Sequence, residues 1–140
     1  MTAKQKLLLV DDDQDILDQL SLALGAEGYE VVTAQGRQEA EEILMLGAPD
    51  LAIVDVMMEE RDSGFVLSYE IKKLYPETPI ILLSSVMSAT GLNFHVNGKE
   101  ARAWIKADAL LDKPVRFEQL KEEIGRLLRN GVSEAAAAHT

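Results

Sequence analysis

Four short apolar runs, each halted by polar residues, constrain this chain more than anything else in it. Leu7–Val10 runs into Asp11-Asp12-Asp13, and Leu51–Val54 into Asp55. Ile80–Leu83 runs into Ser84-Ser85, and Ala109–Asp112 into Lys113-Pro114. Segments that are apolar at nearly every position bury both faces, so with helical patterns between them they read as strands of a covered parallel sheet. Ligands bind such sheets outside the carboxyl ends of the strands. The polar terminators therefore gather at one rim: three carboxylates (Asp11, Asp12, Asp55), the Ser84 hydroxyl and the Lys113 ammonium. That set suits a divalent cation beside a group that receives a phosphoryl.

The intervening segments supply the helices. Ile16, Leu20, Ala23 and Leu24 keep helical spacing, with Asp13 or Asp15 near the start and Gly28 past the end. Glu30–Ala34 reads as a further strand. Ala40, Ile43 and Leu44 mark a second helix that stops at Gly47, before Pro49. Leu67, Ile71 and Leu74 carry a third, closed by Pro76 and Pro79. A helix is expected from about Lys99 to Ala107. The last one, on Phe117, Leu120, Ile124, Leu127 and Leu128, begins just after Pro114 and is expected to end near Gly131. Alternating strands and helices predict an α/β doubly wound fold, five parallel strands in the flavodoxin-like order 2-1-3-4-5 with helices on both faces. Residues 1–130 form the expected domain, and 131–140, with its four alanines, a tail or linker.

The balance of 14 Lys plus Arg against 24 Asp plus Glu gives a net charge of −10. Such a surface opposes direct nucleic-acid binding, which needs a basic stripe, and docking on anionic lipid. Cysteine is absent, which excludes a disulfide framework and thiolate metal sites. The apolar run near the N-terminus is only four residues long, so neither a signal peptide nor a membrane span is expected. These features fit a cytoplasmic domain. His95 and His139 read as surface residues.

At the rim, Asp11 and Asp12 close the first strand and Asp55 the third, and the expected strand order sets these ends side by side. Two carboxylates about 4 Å apart repel by roughly 4 kcal/mol at an effective dielectric of 20. Mg²⁺ relieves such repulsion while keeping waters and phosphate in its shell. Asp13 reads equally well as a helix cap. A carboxylate such as Asp55 can act as a phosphoryl nucleophile and form an acyl phosphate. Phosphoryl transfer places charge on three oxygens, and the metal, Lys113 and Ser84 with backbone amides could take one each.

The segments LLLVDDDQD, LAIVDVMM, PIILLSS and LLDKP, in this order, resemble the receiver domain of bacterial two-component response regulators (CheY-like) over about residues 5–130. The resemblance implies Asp55 as phosphoacceptor, with Mg²⁺ held by Asp12 directly, Asp11 through water, Asp55 and the Met57 backbone carbonyl. It implies Ser84 as switch hydroxyl and Lys113 as phosphoryl contact. The implied partners are a sensor histidine kinase or phosphotransfer protein and a downstream protein target, met through the surface between the fourth and fifth strands.

The sequence departs from the family pattern at three places. Leu110 stands where an aromatic residue is usual, three positions before the lysine. The segment from Ser84 to Lys113 is longer than usual, mostly around Val86 to Gly98. Met58-Glu59-Glu60-Arg61 replaces the common Pro-Gly after the phosphoacceptor. In-line attack by water on an acyl phosphate would pass Met57 and Val86, both apolar, which implies slow dephosphorylation. Movement of the switch hydroxyl would be absorbed by the long segment and by the region of Trp104.

Rival readings are a pseudo-receiver acting without phosphorylation and an aspartyl-phosphate hydrolase of the haloacid-dehalogenase type. The hydrolase would leave Asp55 without a role. A flavin or nucleotide module needs a Gly/Ser/Thr-rich phosphate loop where three aspartates stand. No output-domain pattern follows Asn130, as expected of a stand-alone receiver or of one cut from a longer regulator.

Overall fold

The computed structural model describes residues 4–56, 63–84, 108–113 and 115–139. The strands are β1 (Lys6–Val10), β2 (Glu30–Ala34), β3 (Leu51–Asp55), β4 (Ile80–Ser84) and β5 (Ala109–Asp112). The described helices are α1 (Gln14–Ala26), α2 (Arg37–Leu46), α3 (Ser63–Leu74) and α4 (Phe117–His139). All neighbouring strands run parallel, and the sheet order is β2-β1-β3-β4-β5, the flavodoxin-like order expected. The helix expected over 99–107 lies outside the described residues.

Strand alternation divides the core into two layers. Leu8, Val10, Ala52, Val54, Ile80 and Leu82 face α2 and α3, meeting Ala40, Leu44, Leu67 and Ile71. Leu7, Leu9, Leu51, Ile53, Ile81 and Leu83 face α1 and α4, meeting Leu17, Leu24, Leu120 and Ile124. Because successive side chains point to opposite faces, only runs apolar at every position can fill both layers.

Three local readings need correction. In α1 the centre of the buried stripe is Leu17 with Leu24, seven residues apart, while Ile16 is only half-buried. In α3 Leu74 is 57% exposed, and Tyr75, four residues after Ile71, takes the inward place instead. The Tyr75 hydroxyl donates to the Leu44 carbonyl at 2.6 Å, which ties the end of α3 to α2. The last helix does not end near Gly131 but runs to His139. Alanine has the highest helix propensity, so the run after Glu134 carries the helix on past one unfavourable glycine.

At the pole opposite the site, two aspartates repeat one device. The Asp50 carboxylate accepts the Lys6 N–H at 2.7 Å, and the Asp50 N–H donates to the Lys6 carbonyl at 2.8 Å. Asp108 does the same with Ile80, both bonds at 2.8 Å, and its carboxylate also meets Lys72 Nζ at 2.9 Å. Each aspartate precedes a strand and binds the first residue of the neighbouring one, so both pairs set register. Arg37 links the two helices of one face, with its Nε 3.1 Å from Glu41 and 3.2 Å from Glu70.

Candidate functional site

The site is assembled where the ends of β1, β3, β4 and β5 come together. Val10 pairs with Val54, and Asp55 with Leu83, so Asp11 and Asp55 emerge from adjacent strands at the same level. Backbone bonds hold the ends in place. The Asp11 N–H donates to Ala34 at 3.1 Å, that of Val56 to Leu83 at 2.9 Å and that of Lys113 to Ser84 at 3.0 Å. Asp11, Asp55 and Ser84 are nearly inaccessible, at 1%, 4% and 1% exposure. A burial of this degree for carboxylates demands partners.

Lys113 is a partner of both carboxylates. Its Nζ lies 3.3 Å from Asp11 Oδ2 and 3.4 Å from Asp55 Oδ1. Burial pulls the Lys113 pKa down, but the charges of Asp55 and Asp11, with the hydrogen bonds they accept, outweigh it and hold the ammonium above the ordinary lysine value. Asp11 spends its other oxygen on the Asp13 N–H, at 2.9 Å.

The three consecutive aspartates thus separate. Asp13 caps α1, accepting the Asp15 N–H at 3.0 Å, so the capping reading of this residue holds. Asp12 is exposed and turns a carboxylate oxygen toward the others. One ligand oxygen each from Asp11, Asp12 and Asp55 lie within 4.8 Å of one another. Three carboxylates around one small volume, only one of them open to solvent, fit a hard divalent cation with an oxygen-rich shell. Met57 lies outside the described residues, as do Glu59, Val86, the rest of segment 86–98 and Trp104. Leu110 is described: it is half-buried against the layer shared by α2 and α3.

One feature of the site was missed from sequence. Gly64, at the start of α3, donates its N–H to the Val56 carbonyl at 3.0 Å and lies against the backbone of Asp55. The available signal was a glycine just before an apolar helical run and shortly after a strand-end carboxylate.

Comparison with known proteins places this geometry. The response regulator receiver domain profile matches residues 7–125, and the chain belongs to that family. It is 36% identical over 126 residues to probable transcriptional regulator ycf27 of Cyanophora paradoxa, covering 90% of this chain and 49% of that protein. Among solved structures it is similar to a CheY-like receiver domain protein from Methanospirillum hungatei, with TM-score 0.80 and 28% identity over 94% of this chain and 99% of that one. It is also similar to response regulator protein TrrA of Thermotoga maritima, solved in complex with Mg²⁺-BeF, with TM-score 0.70 and 32% identity over 88% of this chain and 98% of that one. The chain spans about half or less of the length of the first curated relatives it matches. The protein is thus a two-component receiver domain of CheY-like fold with an acidic pocket of Asp11, Asp12 and Asp55. Among the described residues no helix is long and apolar enough to cross a membrane.

Proposed function

We propose that this chain is a phosphorylation-dependent signalling switch whose phosphoacceptor is Asp55. The observation that carries the reading is the placement of one ammonium, Lys113, within 3.4 Å of two buried carboxylates that also share a triad with Asp12. Asp11, Asp12, Asp55 and the Met57 carbonyl would hold Mg²⁺, which when bound neutralises oxygens of the entering phosphoryl. Asp11 already satisfies both oxygens within the protein, which favours a water-bridged role for it and direct ligation by the open Asp12.

The chemistry assigned to the chain's own groups is in-line transfer. An Asp55 carboxylate oxygen forms the new bond to phosphorus while the bond to the donor breaks and its electron pair stays with the leaving group. That group is an imidazole that takes a proton from water, or a carboxylate that departs as the anion. Lys113 turns from Asp55 toward the charge that arrives, and Ser84, at the neighbouring strand end, offers its hydroxyl to another phosphoryl oxygen. The donor is a sensor histidine kinase or phosphotransfer protein, with small acyl phosphates as substitutes. The chain assists its own phosphorylation and slow dephosphorylation and is not otherwise an enzyme. The modification is read by a protein target at the surface between β4 and β5, without direct contact to nucleic acid or membrane, in the cytoplasm. Residues 1–130 make up the receiver, with 131–140 as tail or linker; the family match, 7–125, lies within the first of these.

The test is incubation with acetyl phosphate with and without Mg²⁺, read by intact mass. One added phosphoryl that needs Mg²⁺ is expected, lost in Asp55→Asn. Undiminished labelling of Asp55→Asn would remove Asp55 from the role.

A further inference from the structure

Gly64 differs from the helical glycines Gly25 and Gly125. A Cβ placed at Gly25 meets nothing within 4 Å, and one at Gly125 approaches the Arg129 guanidinium, the movable end of a long side chain. A Cβ at Gly64 would collide with the Asp55 carbonyl oxygen, and would come to 2.5 Å from Val56 Cα and 2.9 Å from the Asp55 carbonyl carbon. Every obstructing atom is backbone, so no side-chain rotation makes room. The crowded peptide unit is the one that carries the proposed nucleophile.

Neither side of this contact can retreat freely. On the strand side, Val56 is wholly buried and its N–H is held by Leu83 at 2.9 Å. On the helix side, withdrawal would break the 3.0 Å bond from the Gly64 N–H to the Val56 carbonyl and lift Leu67 and Ile71 out of the core. A methyl group at this place therefore has to shift the Asp55–Val56 peptide. The Asp55 carboxylate would move with it, away from the position that sets it 3.4 Å from Lys113.

We propose that Gly64 is a positioning residue for phosphoryl transfer: its bare α-carbon lets α3 press on the Asp55–Val56 backbone and so fixes where the nucleophile points. This rests on the assignment of Asp55 as phosphoacceptor. Misplacement of a reacting group by about 1 Å is enough to lower a rate by orders of magnitude, even where the fold survives.

The test uses the full chain carrying Gly25→Ala, a change in open space that supports α1 and offsets lost stability. Rates of phosphorylation by saturating acetyl phosphate and Mg²⁺ are measured by intact mass and scaled to the folded fraction. Adding Gly64→Ala should lower the rate at least about tenfold and shift the Asp55 and Val56 amide resonances. Adding Leu67→Ala instead thins the packing of the same helix without touching Asp55. It should lower Tm while leaving the rate within about twofold, because a cavity there costs stability and not alignment. A Gly64→Ala rate within about twofold of its parent, or an equal loss in Leu67→Ala, would overturn the positioning role. A wild-type chain that takes no phosphoryl would overturn the Asp55 assignment and this proposal with it, so the two failures are distinct.

Discussion

Asp11 accepts the backbone N–H of Asp13 at 2.9 Å, and this one bond divides the work of three consecutive aspartates. It fixes the turn out of β1, so Asp13 falls at the first turn of α1 and caps it. Asp12 is left at the mouth, exposed, with its carboxylate turned toward Asp55. Asp11 itself is closed in, held by Asp13 on one oxygen and Lys113 on the other.

Asp12 should accordingly be the residue whose loss weakens the metal most and the fold least. Asp12→Ala is expected to lower Mg²⁺ affinity more than about tenfold, or about 1.4 kcal/mol. Without metal its Tm should change little, because the carboxylate removed is exposed and crowds two others. Calorimetric titration with Mg²⁺ and thermal unfolding in a chelator check the two halves. Unchanged Mg²⁺ affinity would contradict the ligand set.

Lys113→Met should leave Asp11 and Asp55 buried without their cation. A loss of about 2–3 kcal/mol is expected in a chelator, most of it recovered in Mg²⁺. The pH dependence follows in sign from the raised Lys113 pKa. Stability that the folded state gains by holding this proton is fully present below the unfolded value of 10.5 and is lost as pH rises through the higher folded value. Wild type should therefore lose stability at the alkaline end through this group, and Lys113→Met should lack that component. Denaturant unfolding at several pH values measures it, and parallel alkaline limbs in the two proteins would contradict it.

Asp108 tests the separation between scaffold and site. Asp108→Ala removes the acceptor of the Ile80 N–H and the partner of Lys72, and should cost about 1 kcal/mol, as for other side chain–backbone caps. It lies at the opposite end of β4 and β5 from the site, so Mg²⁺ affinity should stay within about twofold. Paired unfolding and Mg²⁺ titrations decide it; a large loss of Mg²⁺ affinity would show that the two ends of the sheet are coupled.

What could be read from sequence depended on whether one residue or a contact carried the information. Strand ends were legible because an apolar run of five or fewer residues halted by a polar residue leaves little freedom, so Asp11, Asp55 and Ser84 fall where expected. Crossovers between parallel strands gave the doubly wound class, and the order 2-1-3-4-5 was expected as the flavodoxin-like member of it. The inward face of α3 was legible at Leu67 and Ile71 but not at its end, because Leu74 and Tyr75 are both apolar enough to serve and only packing chooses between them. The end of α4 was misread because a glycine commonly stops a helix, yet Gly131 is followed by residues that favour continuing it. The place of Gly64, just before an apolar helical run and shortly after Asp55, is visible in sequence, but the crowding there is not, since it is set by the backbone of another element.

The central claim is that the Asp55 carboxylate, and no other, becomes the acyl phosphate. The most direct measurement is to phosphorylate the chain with acetyl phosphate and Mg²⁺, reduce it with borohydride and sequence its peptides by mass spectrometry. An acyl phosphate is reduced to the alcohol and a free carboxylate is not. The prediction is conversion of Asp55 alone to homoserine, dependent on Mg²⁺. Conversion at Asp11 or Asp12, or none at Asp55 in a chain that has gained a phosphoryl, would contradict it.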